Sequence, residues 1–188
     1  VPSGSRTTNM NSLLTTYVPV ILTDHLNRWI NTAEWYSACG SGPYTHLQHL
    51  TNLKNKSYSA SPSYCNAVED RDMWVIASVA EMLAANHKNS ALVPMTSGFK
   101  SGLLSYMNIA SDLLQSRMTE SQLTDFDRIS PVVGLNFDAG AWTDWVDNDY
   151  AGYTGAAYPN IPGDKSAVAG IGWDISHASR FPYVFNSL

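Results

Sequence analysis

Charge is scarce in this chain. Lys and Arg number 11 and Asp and Glu 16 among 188 residues, so only 14% are charged and the net charge is −5; ordinary domains carry roughly a quarter. With so few cations spread so thinly, there is no basic footprint for a nucleic-acid backbone. Attraction of a polyanion is left to a local pocket. Long apolar runs are also missing, and none reaches the length of a membrane span. The start, Val1-Pro-Ser-Gly-Ser5, has neither the charged nor the apolar region of a signal peptide, and it has no initiator Met. It reads as a mature or trimmed product. Tyr183-Val-Phe-Asn-Ser-Leu188 stops inside an apolar pattern, so the original polypeptide is expected to continue. No Gly-rich phosphate loop, Gly-x-Ser-x-Gly elbow or His-Glu-x-x-His helix is present, which leaves the chemistries built on those motifs without support. No cofactor and no metal is implied. Strict period-two alternation is rare, which argues for a mainly α fold.

In place of charge the chain carries Ser, Thr, Asn, Gly and Tyr, a dress common on secreted proteins, and its apolar content of 44% suffices for a core. A secreted or periplasmic location is expected. There are two cysteines, Cys39 and Cys65. A disulfide between them would close a polar loop and stabilise by about 3 kcal/mol; the bland alternative is two unrelated thiols. His46 and His49 lie nearby at i, i+3, but thiols so far apart lack finger spacing, so a zinc site is not expected. Asn55-Lys56-Ser57 is a glycosylation sequon in the same loop.

The length fits a single helical domain, 1–188. Residues 1–10 are polar and expected to be loose. From Ser12 to Tyr36 apolar residues recur at helical spacing, with Pro19 kinking or starting that stretch. Residues 37–67 read as a disulfide-tied loop with one short helix around His46–Leu53. Asn66 to Asn86 is the clearest helix, with Met73, Ile76, Ala77, Ala80, Leu83 and Ala84 as its stripe and acids in its first turns. A loop with Pro94 and Gly98 precedes a helix from Gly102 to Arg117. Thr119-Glu-Ser-Gln122 resembles a capping box opening a further short helix. Residues 130–172 are rich in Gly and Pro and read as a loop-rich region with short regular pieces. Trp173–Phe181 is expected to be helical, with Pro182 ending it or opening a new turn.

The chemistry concentrates between Asn136 and Arg180. Aromatic rings beside carboxylates are a usual surface for a sugar: the ring stacks on its apolar face and the acids take its hydroxyls. On a helix, Trp173, His177 and Arg180 fall within about a sixth of a turn of one another, with Asp174 one step around. His177 can move a proton near neutral pH, and Arg180 can clamp a carboxylate. The bland reading of the same residues is a helix cap by Asp174 and a buried His177. Asp138, Asp144, Asp147 and Asp149 stand among Trp142, Trp145, Tyr150 and Tyr153. Hydrolysis of a glycosidic bond needs one protonated and one ionised carboxyl, and Asp174 with Asp138 or Asp144 can supply them. The acids also suggest calcium, but their spacing lacks the ligand pattern of an EF-hand. Most single loop acids are merely solvated or make turns.

The run Trp173-Asp-Ile-Ser-His-Ala-Ser-Arg180, after a Gly- and Tyr-rich loop, resembles helix starts in (α/α)-toroid carbohydrate-active enzymes. That group includes six-hairpin glycoside hydrolases and polysaccharide lyases. The likeness covers chiefly residues 136–181. It implies helical hairpins with long loops at one end, and it places Trp173, Asp174, His177 and Arg180 at a sugar-binding mouth. A complete toroid needs more helices than this chain holds, so a further segment or chain would complete it. The expected function is extracellular cleavage of a polysaccharide by acid/base hydrolysis. Asp174, His177 and Asp138 or Asp144 would act in catalysis, and Trp142, Trp145, Trp173, Arg180, Asn136 and Tyr150 in binding. The alternatives are a lyase using Tyr153, His177 and Arg180 for β-elimination on a uronic-acid polymer, and a non-catalytic glycan-binding or adhesion module.

Overall fold

Two of the helices begin at a Thr whose hydroxyl takes up a free amide group. The computed structural model describes residues 10–33, 42–58, 63–123, 132–141 and 181–187. Helix α1, Val18–Asn31, continues a wider turn at Leu13–Tyr17 and carries Pro19 in its first turn, where the missing amide is no loss. Helix α2, His46–Asn55, opens with a reciprocal capping box between Thr45 and Gln48 and ends at Lys56 in the left-handed region. Helix α3, Asp70–Lys88, has Asp70 and Asp72 in its first turn and His87 and Lys88 in its last, so both ends suit the helix dipole. Helix α4, Ser97–Arg117, is capped by Thr96, whose hydroxyl accepts from the Phe99 amide.

At Met118 the chain leaves α4 directly into strand β1, Met118–Leu123. This strand pairs antiparallel with β2, Val132–Phe137, in the register Met118↔Phe137 to Leu123↔Val132. A short helix α5, Phe181–Ser187, packs on α3.

The described residues are mainly helical and share one core. Leu26 and Ile30 of α1, Leu50 and Leu53 of α2, Ile76 and Val79 of α3, and Leu103, Leu113 and Leu114 of α4 meet there. Burying such side chains stabilises by roughly 1.5–3 kcal/mol each.

Four expectations need correction. The helix expected at Thr119–Gln122 is strand β1, because its backbone groups find partners in β2, beyond the reach of a local pattern. Helix α4 starts at Ser97, so Gly98 lies inside it and not in a loop. Leu104, expected inside, is exposed, while Tyr106 is fully buried. Of the apolar residues spaced along the wider turn and α1, Leu13, Tyr17, Ile21, Leu22 and Trp29 are exposed, while Leu26 and Ile30 join the core. The helix expected near His46–Leu53 is present as α2, and His25 and His87 are exposed.

A Cβ built at Gly98 or Gly102 meets nothing within 4 Å. Gly98→Ala and Gly102→Ala are each expected to stabilise by about 0.5–1 kcal/mol, by restricting the unfolded chain. Urea midpoints check this; a loss of stability at either site would contradict the open surroundings.

Candidate functional site

The first turns of α2 and α3 bring two histidines onto one carboxylate. His46 and His49 lie at i, i+3 on α2 and so share a face. Asp72 is the third residue of α3. His46 Nε2 is 2.8 Å and His49 Nε2 3.5 Å from Asp72 Oδ1. The second carboxylate oxygen accepts the Glu69 amide at 2.8 Å. Behind each imidazole stands a phenol: Tyr106 Oη is 2.8 Å from His46 Nδ1, and Tyr58 Oη is 3.0 Å from His49 Nδ1. Asn52 Nδ2 donates to Tyr58 Oη at 3.3 Å.

An ionised Asp72 accepts only, which fixes the direction of the chain. His46 donates through Nε2, and its Nδ1 accepts the Tyr106 hydroxyl proton. Tyr58 accepts from Asn52 and donates to His49 Nδ1. Burial by itself would raise the Asp72 carboxyl; the hydrogen bonds from His46 and His49 outweigh it and hold it below the usual carboxylate range. Burial, with the Asp72 charge nearby, pushes the Tyr106 hydroxyl well above its ordinary value.

This network is closed to solvent, since Asp72, His46 and Tyr106 are each 0% exposed. Its work is to lock α2, α3 and α4 together at one point. Among the described residues, no group of three or more His, Cys, Asp or Glu side chains is arranged to hold a metal ion.

A second polar tie sits beside it. Arg117, the last residue of α4, donates from one nitrogen to Asp138 Oδ1 at 2.6 Å and from the other to the Leu53 carbonyl at 2.7 Å. Asp138 Oδ2 accepts the Val68 amide at 2.5 Å, and its own amide donates to the Arg117 carbonyl at 2.9 Å. Burial pushes the Asp138 carboxyl up against the opposing pull of Arg117 and the Val68 amide. Asp138 has φ 57 and Gly140 φ 81, and the Ala141 amide closes the turn on the Asp138 carbonyl at 3.1 Å. Asp tolerates the left-handed region better than most residues, and Gly enters it freely.

Asp138 was expected in a catalytic acid pair. It is buried with both oxygens bound, so it serves as an anchor at the exit of the hairpin. Nothing near it in sequence announces this, because its partners are 21 and 70 positions away.

Asn136 pairs through its backbone with Thr119. Trp142, Asp144, Trp145, Tyr150, Tyr153, Trp173, Asp174, His177 and Arg180 lie outside the described residues, as does Cys39. Cys65 is buried and is not a free thiol.

A groove of about 950 Å³ opens between α1, α3 and α5. Leu22, Trp74, Ser78, Glu81, Tyr183 and Asn186 are among its lining residues. Trp74 is 47% and Tyr183 70% exposed. Sequence reading missed Trp74; its signal was a Trp off the apolar stripe of an otherwise well-patterned helix. Among the described residues, no helix is long and apolar enough to cross a membrane. Comparison with protein-family models, with curated proteins and with solved structures finds no match to this chain.

Proposed function

We propose that this chain is an extracellular polysaccharide-degrading enzyme that cleaves glycosidic bonds by acid/base hydrolysis. One observation carries the reading. The described residues on either side of the acid- and aromatic-rich stretch 142–180 both meet the region of α3: Asp138 accepts the Val68 amide just before α3, and α5 packs along α3. Reactive groups carried by a connection between fixed points of a rigid scaffold are a common arrangement for catalysis.

In this reading Asp144 and Asp174 form the acid/base pair, because Asp138 is committed to Arg117 and Val68. Trp142, Trp145 and Trp173 are sugar platforms, His177 and Arg180 polar clamps, and Tyr150 and Tyr153 flank the bond. The toroid-like arrangement, its completion by a further segment or chain, the Cys39–Cys65 disulfide and the secreted or periplasmic location belong to the same proposal. The mainly helical core and its helix pairs are compatible with that scaffold.

The test follows reducing ends and unsaturated-uronate absorbance together on a panel of neutral and uronic-acid polysaccharides. Reducing ends without absorbance are expected, with a loss of about 100-fold or more in Asp174→Asn. Absorbance rising with the reducing ends would replace hydrolysis by elimination. Silence on every polymer, with glycan binding kept, would replace the enzyme by a binding module.

A further inference from the structure

We propose that the groove between α1, α3 and α5 is a binding site for an uncharged oligosaccharide. Trp74, Ser78 and Glu81 lie at i, i+4 and i+7 on α3 and so form one stripe. Tyr183 and Asn186 contribute to the groove from α5. A Trp and a Tyr left wet in one concave surface offer apolar faces, and the groups between them offer hydrogen bonds. The Ser78 hydroxyl donates to the Trp74 carbonyl at 2.8 Å, so its lone pairs remain for a ligand hydroxyl. The Glu81 carboxylate accepts, and the Asn186 amide both donates and accepts. Rings with alternating apolar faces and hydroxyl edges match that lining.

Charge narrows the ligand. Among the described residues that line the groove there is one carboxylate, Glu81, and no Lys, Arg or His. Among these residues a uronate or sulfated polymer meets an acid and no cation, which favours a neutral sugar. Small-molecule sites span roughly 300–1,000 Å³, and at about 950 Å³ this groove has room for several rings. The described lining of the groove comes from α1, α3, the segment after α3 and α5. Its ligand chemistry is argued from its own lining, so it stands whether the chain cleaves glycans or only holds them.

The experiment is calorimetric titration of Asp174→Asn protein, in which the ligand survives, with neutral β-linked gluco-, manno- and xylo-tetrasaccharides and a uronate tetrasaccharide as charged control. A neutral tetrasaccharide is expected to bind and the uronate to bind at least tenfold more weakly. Adding Trp74→Ala or Tyr183→Ala is expected to weaken binding about tenfold, the size of a lost aromatic stack. Trp74→Phe, which keeps a ring, is expected to stay within about threefold. Both residues are exposed, and circular dichroism checks that each variant is folded. No binding of any neutral tetrasaccharide at millimolar concentration would overturn the proposal, as would alanine variants of unchanged affinity. Polymer cleavage by the wild type is scored separately, so failure of the groove and failure of the hydrolase reading give different results.

Discussion

Asp72→Asn is expected to cost about 3 kcal/mol at pH 7, the upper end for leaving a buried donor without its acceptor. The amide keeps one acceptor and gains donors, in a place where the Glu69 amide and the His46 and His49 imidazoles all point at the carboxylate. At least one buried donor then loses its acceptor. The pH dependence has a definite sign. The folded-state pKa of Asp72 lies below the ordinary value, so its contribution is fully present above the unfolded pKa, about 3.9. It is lost as pH falls below that value toward the folded pKa. The gap between wild type and Asp72→Asn should therefore narrow under acid, through loss of stability in the wild type. Urea unfolding at pH 7 and near pH 3 measures it; a gap independent of pH would mean that Asp72 is not the ionised centre of the network. Tyr106→Phe, which removes one hydroxyl from the same chain, should cost only about 1–2 kcal/mol.

Arg117→Ala is expected to cost a similar amount, about 3–5 kcal/mol, by a different route. It removes the partner of Asp138 Oδ1 and leaves the Leu53 carbonyl without its bond from Arg117. Burial already raises Asp138, and loss of the guanidinium raises it further. A carboxyl whose folded pKa exceeds its unfolded one stabilises below the unfolded pKa, and that contribution fades as pH rises through the folded pKa. The variant should therefore regain stability relative to wild type on acidification from pH 7 toward about 4. Amide exchange should also quicken first in β1 and β2, because Arg117 and Asp138 close the base of the hairpin. Equal deficits at both pH values, with hairpin exchange unchanged, would contradict this role.

The two networks show what can be read from a sequence and what cannot. Helix α3 was plain, since acids in its first turn and apolar residues at Met73, Ile76, Ala77 and Ala80 are local signals. The position of α2 was also legible within a long polar stretch. The pairing of His46 and His49 with Asp72 was not, because it depends on how α2 crosses α3. Asp138 was grouped with Asp144, Asp147 and Asp149 by nearness along the chain, whereas its fate is set by Arg117 and Val68. Strand β1 was missed for the same reason: Thr119-Glu-Ser-Gln122 has no alternation of its own and becomes a strand only against β2. Trp74 was passed over because an aromatic residue on a core helix is ordinarily counted with the core.

We propose a division of labour in which Asp138 holds the scaffold and Asp174 performs chemistry on a glycan. The most direct measurement compares release of reducing ends by Asp138→Asn and Asp174→Asn, at a temperature where unfolding curves show both proteins folded. The account predicts that Asp174→Asn keeps wild-type stability and loses turnover, while Asp138→Asn loses stability and keeps turnover. Full activity in Asp174→Asn, or an inactive and fully stable Asp138→Asn, would contradict it.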